Sequence, residues 1–478
     1  MKTLYKILAV VVVITAGYGC EKELSAPPKN AKVEGNTIID APTSQIALNG
    51  AYYNFANATN IKTGWQWHQI LPSTFAGYIG YGYGAGSNES NITTGNSGMY
   101  WEESYRALNA ANGVIAGVTA LPDAAFNGNR KKEVLAEAKF IRAYAHFKIL
   151  SYYAEWYKIN STQGVLLRDE LSTLTNILKK RSTVKESYDF ILADLDEVIA
   201  NGPAANPNHY ATKWAAMALK MRVLINRGGT GDYTAVIQLA DNITQNSPYV
   251  LEASQQNLFR VAGLTSKEVI LGVKPQALQT SDPYSKTRQY YPGASSLYVA
   301  KQALKDLFAG DPRQSWVVGP ATPYQQYSPN TYYFAKYVET GTVPTVVTET
   351  DYVLRLTEVY LLKAEAIVRS GGSLADARTL VHTIQQKGGL TPANAPYAAV
   401  DAAATPADLL VQIYRETSRS MVGEDGSEWM ALLRLPFETV KVLRPTITSQ
   451  IQYIIPVPQT EFVYNPQFGE QNTGYSTN

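Results

Sequence analysis

Residues that hold metals and form disulfides are scarce in this sequence. Its 478 residues include one cysteine, Cys20, and four histidines, His68, His146, His209 and His382. The histidines lie far apart, so no zinc or iron–sulfur ligand set of cysteines and histidines can be recognised. A lone cysteine also excludes a disulfide within the chain. We therefore predict no site of these kinds.

Charge is also sparse. Asp, Glu, Lys and Arg make up 17% of the chain, below the roughly 25% typical of soluble domains. The 42 basic and 40 acidic residues leave a net charge of +2, and no basic stripe is visible. Nucleic-acid-binding proteins usually carry such a stripe, so we expect no nucleic-acid partner. Beyond the N-terminal segment, no apolar run approaches the ~20 residues needed to cross a bilayer.

The N-terminus has the features of an export signal. Two lysines precede the apolar run Ile7–Ile14, which is too short to span a membrane and is followed by small residues and Cys20. We expect residues 1–19 to be a signal peptide, Cys20 to be lipidated and residues 20–30 to be an extended spacer. The alternative is an ordinary signal peptide with an idle thiol nearby. On the first interpretation the lipid is the only membrane contact.

Much of the remaining chain has the periodicity of amphipathic helices. Apolar residues recur at intervals of three and four, and the predicted helices cover about 182–200, 208–227, 232–246, 350–370 and 373–387. Consecutive helices joined by glycine turns are typical of tetratricopeptide (TPR) repeats, although a strict period of about 34 residues is absent. We therefore predict a mainly α fold, with TPR-like helical hairpins over about 98–250 and 350–387 as its scaffold.

Local signals mark several ends of these helices. Thr183 followed three residues later by Glu186 forms a capping box. Thr405, followed by Pro406 and, three residues after the threonine, by Asp408, predicts another helix start. Glycine pairs beginning at Gly228 and Gly371 predict helix ends.

Long segments without helical periodicity separate the hairpins, at about 60–100, 275–350 and 388–478. Loops of this length in a compact domain are usually functional or disordered, and their many aromatic residues disfavour disorder. We predict a single domain over 31–478, in which these loop-rich segments and a few short strands carry the ligand-binding face.

A search for catalytic residues finds almost nothing. The run Gly80–Gly86 fits neither the dinucleotide-binding fingerprint nor the P-loop. The acidic residues that stand out are Glu102, Glu103, Glu424, Asp425 and Glu428. We expect these carboxylates to form solvated charged faces rather than catalytic pairs. His146 is expected to be a hydrogen-bonded core or surface histidine rather than a ligand.

Tyrosine, by contrast, is abundant: 33 Tyr accompany 12 Phe and 7 Trp. Many of these rings fall in two clusters on predicted loops, one of them interleaved with glycine, which lets a loop conform to a ligand. Sugar rings present flat C–H faces that stack on aromatic planes. We predict a ligand-binding surface that includes Trp65, Trp67, Tyr81, Tyr83, Tyr290, Tyr291, Trp316 and Tyr324. The alternative is that these rings anchor the loops to the helical body.

Several stretches of the chain resemble the SusD/RagB family of Bacteroidetes surface lipoproteins. The stretches are Leu48–Tyr52, Trp101–Asn112, Glu137–Tyr144, Leu354–Ala366 and the tail Ile455–Tyr475. Each motif is weak alone, and together they are specific and span nearly the whole mature chain. Most of their positions pack helices or close the chain, so they inform the fold more than the ligand contacts.

The resemblance implies a lipid-anchored outer-membrane protein that faces the cell surface and binds nutrients. Such a protein sits as a lid on a SusC-like TonB-dependent transporter barrel and delivers an oligosaccharide or, in some members, a peptide. The family has no cofactor and performs no chemistry, which agrees with the absence of a catalytic pattern.

Two other classes of function remain open. A glycoside hydrolase acting on surface glycans would cleave a polysaccharide. A structural surface-interaction protein would show no saturable binding of a small ligand. The residues do not specify which glycan or peptide is bound, because aromatic loops serve many ligands.

Overall fold

The computed structural model describes residues 37–57, 65–93, 98–276, 285–290, 297–342 and 344–476. Cys20, the expected signal peptide and the expected spacer lie outside these ranges, as does Tyr291. Among the described residues, no helix combines the length and the apolar character needed to cross a membrane. The structure therefore concerns the body of the chain and leaves the predicted anchor untested.

Helices dominate the described chain, with a few short strands. The helices are α1 (Ala41–Phe55), α2 (Gln66–Phe75), α3 (Met99–Ala120), α4 (Arg130–Tyr153), α5 (Val184–Asn201), α6 (Lys213–Arg227), α7 (Asp232–Asn246), α8 (Gln302–Leu307), α9 (Leu356–Arg369), α10 (Leu374–Lys387), α11 (Ala395–Ala402), α12 (Pro406–Met421), α13 (Ser427–Leu433), α14 (Phe437–Leu443) and α15 (Gln459–Tyr464). The strands are β1 (Ile79–Tyr81), β2 (Val269–Val273), β3 (Tyr298–Lys301), β4 (Val318–Ala321), β5 (Thr331–Phe334) and β6 (Asp351–Arg355). Single turns that carry no label include Gln255–Asn257, Lys286–Gln289 and Gln314–Val317. The predicted mainly α fold class is confirmed.

The helices pack in sequence order, as TPR-like hairpins do. Helix α3 packs on α4, α4 on α5, α5 on α6 and α6 on α7, and α9 then packs on both α7 and α10. Helix α4 lies at the centre, and most of its side chains from Val134 to Tyr153 are buried. A helix that is buried almost all round belongs to the core of a large domain rather than to its surface.

The predicted helix ends are confirmed. The Glu186 amide donates to Thr183 Oγ1 over 3.1 Å, and the Thr183 amide donates to Glu186 Oε2 over 2.8 Å. Thr405 caps α12 in the same way, through the aspartate three residues later. Gly228 and Gly371 adopt left-handed φ angles of +60° and +76° at the ends of α6 and α9, a conformation that glycine takes without steric cost.

Strand β6 corrects the helix predicted for 350–370. Residues Asp351–Arg355 pair antiparallel with β2, and helix α9 begins only at Leu356. All five residues of β6 are buried. A short apolar run that is buried on both faces cannot be distinguished from a helical segment by periodicity alone, which explains the error.

The segment 388–478 also differs from the loop-rich part expected there. Helices α11 to α14 occupy most of it up to Leu443, and α12 packs on α9, α10 and α13. Beyond α14 the chain is largely irregular and closes onto α4: the Ile455 amide donates to the Tyr152 carbonyl over 2.8 Å. The Asn472 amide group donates to the Tyr153 carbonyl over 2.9 Å. This part of the chain therefore completes the helical body.

Four strands form an antiparallel sheet in the order β1-β3-β5-β4. Strand β1 is an edge strand, and its Tyr81 pairs with Tyr298 of β3. Ala300 of β3 pairs with Tyr332 of β5. The sheet thus joins three strands of the 275–350 segment to β1, which overlaps the start of the glycine-rich run.

Candidate functional site

The glycine-rich segment after β1 is held as a defined loop. Its anchor is Glu89, whose Oε1 accepts from the amides of Tyr81, over 2.8 Å, and Gly86, over 3.3 Å. Lys301 of β3 pairs with the same carboxylate at 3.1 Å. On the opposite side the Gly82 amide donates to the Leu297 carbonyl over 2.8 Å. These bonds fix the backbone on which Tyr81 and Tyr83 stand.

Six aromatic side chains around this loop form a continuous surface, which we call the tyrosine surface. Its members are Trp67, Tyr81, Tyr83, Tyr298, Tyr324 and Tyr327. The ring centroids of Tyr83 lie 5.8 Å from Tyr81, 4.5 Å from Tyr324 and 6.1 Å from Tyr327. Tyr298 joins Tyr81, at 6.2 Å, to Trp67, at 6.4 Å.

The tyrosine surface is partly open to solvent. Tyr81, Tyr83 and Tyr327 expose 40%, 37% and 55% of their surface, whereas Tyr324 is buried beneath Tyr83. Burial raises the pKa of the Tyr298 hydroxyl to about 12 and that of Tyr324 further, so both stay neutral at physiological pH. The surface combines apolar ring faces with hydroxyl groups, which is the composition that recognises a partly apolar, hydroxyl-rich ligand.

Gly82 allows a close approach between the loop and its neighbours. A Cβ atom at position 82 would lie 3.1 Å from Tyr324 Cδ2 and 3.3 Å from Val299 Cγ1. Gly84 differs, because no heavy atom outside its immediate chain neighbours lies within 4 Å of a Cβ built there. The first glycine thus lets the loop approach Tyr324, and the second faces open space.

The structure places the predicted site residues in different environments. Tyr81, Tyr83, Tyr324 and Trp67 come together on the tyrosine surface. Trp65 and Tyr290 are each 1% exposed, so neither ring is open to a ligand in this conformation. Trp65 stacks on His68, with centroids 4.0 Å apart, and Tyr290 packs on Tyr337 and Phe334.

Trp316 is only partly buried, but it packs on Phe259 rather than on the tyrosine surface. Two members of the surface, Tyr298 and Tyr327, are missing from the predicted set. The alternating pattern of β3 gives a signal for Tyr298, since a strand turns every second residue to one face. We find no such signal for Tyr327.

The second group of acidic residues corrects a prediction. Glu424, Asp425 and Glu428, expected on a solvated face, are all buried. Asp425 pairs with Lys148 at 2.9 Å and with Arg222 at 2.5 Å, and Tyr144 donates its hydroxyl to the same carboxylate over 2.8 Å. Burial alone would raise the pKa of Asp425, but the charges of Lys148 and Arg222 outweigh it and hold the pKa below its ordinary value.

Further buried ion pairs surround Asp425. Arg222 also pairs with Glu358 at 2.6 Å. Glu424 pairs with Lys336 at 2.6 Å and with Arg355 at 2.8 Å. We refer to these groups together with Asp425 and Lys148 as the buried ion cluster. Its members come from α4, α6, the segment after β5, β6, α9 and the turn between α12 and α13, so the cluster ties these elements together.

Glu428 lies beside this cluster without a cationic partner of its own. Its Oε1 accepts from the Ser73 hydroxyl over 2.5 Å, and Oε2 has no hydrogen bond among the described residues. Burial raises the pKa of Glu428 to about 7. The carboxyl group is thus protonated in part of the population near neutral pH.

The other singled-out residues fit structural roles. Glu102 is exposed on α3, as expected, whereas Glu103 is half-buried and burial raises its pKa to about 8. His146 is a buried core histidine that accepts from the Arg168 amide over 3.2 Å, and burial lowers its pKa to about 3. In the described ranges, no three His, Cys, Asp or Glu side chains converge to hold a metal ion.

Two family models match this chain, one in its N-terminal half and one in its C-terminal half. A family model described as "starch-binding associating with outer membrane" matches residues 25–225. The SusD family model matches residues 313–441.

Relatives in sequence are distant, and the share of the chain that they match differs widely. The chain is 23% identical to "SusD-like protein P2" of Formosa agariphila, over 98% of this chain and 99% of that protein. It is 25% identical to a "SusD-like protein" of Bacteroides ovatus, but that match covers 36% of this chain and 32% of the relative.

Solved structures share the fold. A SusD superfamily protein from Bacteroides thetaiotaomicron superposes with a TM-score of 0.75 at 20% identity, covering 91% of this chain and all of that one. NanU from B. fragilis superposes with a TM-score of 0.74 at 18% identity. The match covers 94% of this chain and all of NanU. A laminarin-binding SusD-like protein superposes with a TM-score of 0.67 at 20% identity. The match covers 91% of this chain and 99% of that one.

Proposed function

Because the chain belongs to the SusD/RagB family, we propose that it binds an oligosaccharide on the tyrosine surface and delivers it to a SusC-like TonB-dependent transporter barrel. The observation that carries this proposal is the run of touching aromatic rings from Trp67 to Tyr327, which the sheet holds partly open to solvent. Stacking on such rings suits a sugar, because the ring faces are apolar while the hydroxyl groups stay hydrated.

The proposal includes the location of the protein. The matching family model names the outer membrane in its description. We place the body at the cell surface, attached through a lipid on Cys20, with the transporter as its protein partner. Recovery of an outer-membrane barrel in near-equal amount after pull-down from solubilised membranes would support this partnership, and recovery of the protein alone would contradict it.

The ligand-binding part is tested by calorimetric titration with a panel of neutral oligosaccharides. Tyr83→Ala should weaken the affinity for whichever oligosaccharide binds by about 1–3 kcal/mol, the range typical of a contact that dominates an interface. Tyr464→Ala is the matched control, because Tyr464 is 77% exposed on α15 and makes no ring contact with the tyrosine surface. Equal affinities of the two variants would contradict the proposal.

We further propose that the protein performs no chemistry on its ligand. Of the acidic residues considered for catalysis, Glu424 and Asp425 are committed to buried ion pairs. Incubation of the purified protein with each bound oligosaccharide should leave its chain length unchanged. Hydrolysis that persists after further purification would favour the glycoside hydrolase instead.

A further inference from the structure

A second candidate site shares no lining residue with the tyrosine surface. It is a cleft of about 580 Å³ between α8 on one side and α11, α12 and the end of α14 on the other. Three arginines line it, Arg415 and Arg419 from α12 and Arg444 from the end of α14. We call this site the arginine cleft.

Arg415 is the most available of the three cations. Its side chain is partly exposed, and among the described residues it forms no hydrogen bond and no ion pair. The other arginines of α12 and its surroundings behave differently. Arg313, for example, is fully buried and pairs with Asp311 and with Glu416, each at 2.7 Å.

Arg444 and Arg419 also lack a close carboxylate of their own. Arg444 donates to backbone carbonyls, of Phe75 over 3.0 Å and of Glu89. Arg419 donates to the Leu307 carbonyl over 2.9 Å, and its nearest carboxylates, 3.7 Å away, are the two already held by Arg313. Carbonyls orient a guanidinium without neutralising its charge.

The absence of a side chain at Gly77 leaves room for the guanidinium of Arg444. A Cβ atom at Gly77, whose φ is +85°, would lie 2.5 Å from Arg444 Nη1. Of the described residues that line the cleft, Asp306 alone is acidic, and its carboxylate accepts from the Gln302 amide group over 2.8 Å. The cleft therefore has an excess of positive charge. Its concave protein walls have a low dielectric constant, which strengthens the positive electrostatic potential inside the cleft.

We propose that the arginine cleft binds the anionic substituent of a sugar, either a uronic acid carboxylate or a sulfate ester. A guanidinium with free donors pairs such oxyanions through two parallel hydrogen bonds, and Arg415 has its donors free. This inference rests on the proposed function, and it adds acidic oligosaccharides as the ligand class. It assigns the charge recognition to α12 and the ring stacking to the tyrosine surface.

The test is the shift in melting temperature of the full chain at low salt, since a ligand that binds only the folded state stabilises it. The probes, at equal millimolar concentration, are glucuronate, glucose 6-sulfate, glucose and N-acetylglycine. We expect a shift with one or both acidic sugars, none with glucose, and loss of at least half the shift in Arg415→Gln. Added sodium chloride should reduce the shift by screening.

Lys132→Gln is the matched control, because it removes one exposed positive charge from α4, outside the cleft. It should keep the whole shift. Glucose, which has no anionic substituent, separates this inference from the stacking of neutral sugars. A larger shift with glucuronate than with glucose 6-sulfate assigns the carboxylate, and the reverse assigns the sulfate. No shift with either acidic sugar, an undiminished shift in Arg415→Gln, or an equal shift with N-acetylglycine would overturn the proposal.

Discussion

Asp425 forms two buried ion pairs that link α4 and α6 to the turn between α12 and α13. Its carboxylate faces Lys148 and Arg222 in an environment from which water is largely excluded. A buried charge that loses its partner keeps its desolvation penalty without the compensating attraction. Removing Asp425 would leave the Lys148 ammonium in that situation, whereas Arg222 would retain Glu358.

Asp425→Asn should therefore lower the free energy of unfolding by about 3–5 kcal/mol. The control is Asp123→Asn, since Asp123 pairs with Lys131 at the surface and should leave the urea midpoint nearly unchanged. Urea unfolding followed by tryptophan fluorescence measures both variants. Equal midpoints for the two would show that the buried pair contributes little.

Glu428 leads to a second prediction, on pH. Its pKa is about 7 in the folded protein against 4.5 in the unfolded chain, so the folded state binds more protons between these values. Stability should consequently fall as pH rises from 4.5 to 7 and change little from this group above 7. Glu428→Gln should remove that loss and stabilise the protein at pH 8 by up to about 3 kcal/mol.

The measurement is urea unfolding of wild type and Glu428→Gln at pH 5 and pH 8. The exposed Glu438, substituted by Gln, serves as the control and should follow the wild-type pH dependence. A Glu428→Gln variant whose stability changes with pH as the wild type does would show that another group titrates.

The environments of these carboxylates could not be predicted from the sequence. An acidic run is usually solvated, and nothing near Glu424 and Asp425 in the chain signals otherwise. Their partners Lys148 and Arg222 lie 277 and 203 positions away from Asp425. Tyr81 and Tyr83 do lie side by side, 5.8 Å apart, as their local spacing in the glycine-rich run allows, and their role in ligand binding stays a prediction.

At the scale of elements, the loop after β1 sets the shape of the tyrosine surface. Gly82→Ala should push the Tyr324 ring by a few tenths of an ångström, because the new methyl group would lie 3.1 Å from Cδ2. We expect the affinity for a neutral oligosaccharide to fall severalfold. Gly84→Ala, whose methyl group meets open space, should bind as the wild type does. Calorimetric titration distinguishes them, and equal affinities would mean that Tyr324 does not shape the site.

Helix boundaries were predictable where a local signal exists, and strands were not. The capping box at Thr183 and the glycine at Gly228 fixed the start of α5 and the end of α6. Strand β6 was missed because its identity depends on pairing with β2, some eighty residues earlier in the chain. The TPR-like hairpins could be predicted because consecutive helices pack on each other and need no distant partner.

At the scale of the whole molecule, attachment to the membrane is proposed to depend on one residue. Cys20→Ala should move the protein from the membrane fraction to the soluble fraction without changing its melting temperature, because no described helix could replace the lipid. Fractionation of cells that lack the partner barrel measures this, with Ser25→Ala as the control. A Cys20→Ala protein that stays with the membrane would contradict lipid anchoring.

The partners in the buried ion cluster are synthesised far apart in time, because they lie far apart in the chain. Lys148 leaves the ribosome 277 residues before Asp425, which at about 5–20 residues per second is a delay of roughly 14–55 s. The delay is longer for Trp65, because its indole donates to the backbone carbonyl of Glu424, which is synthesised 359 residues later. During that interval Lys148 and Arg222 lack the Asp425 carboxylate with which both pair in the folded protein. The buried ion cluster can therefore be completed only after the turn between α12 and α13 has been synthesised.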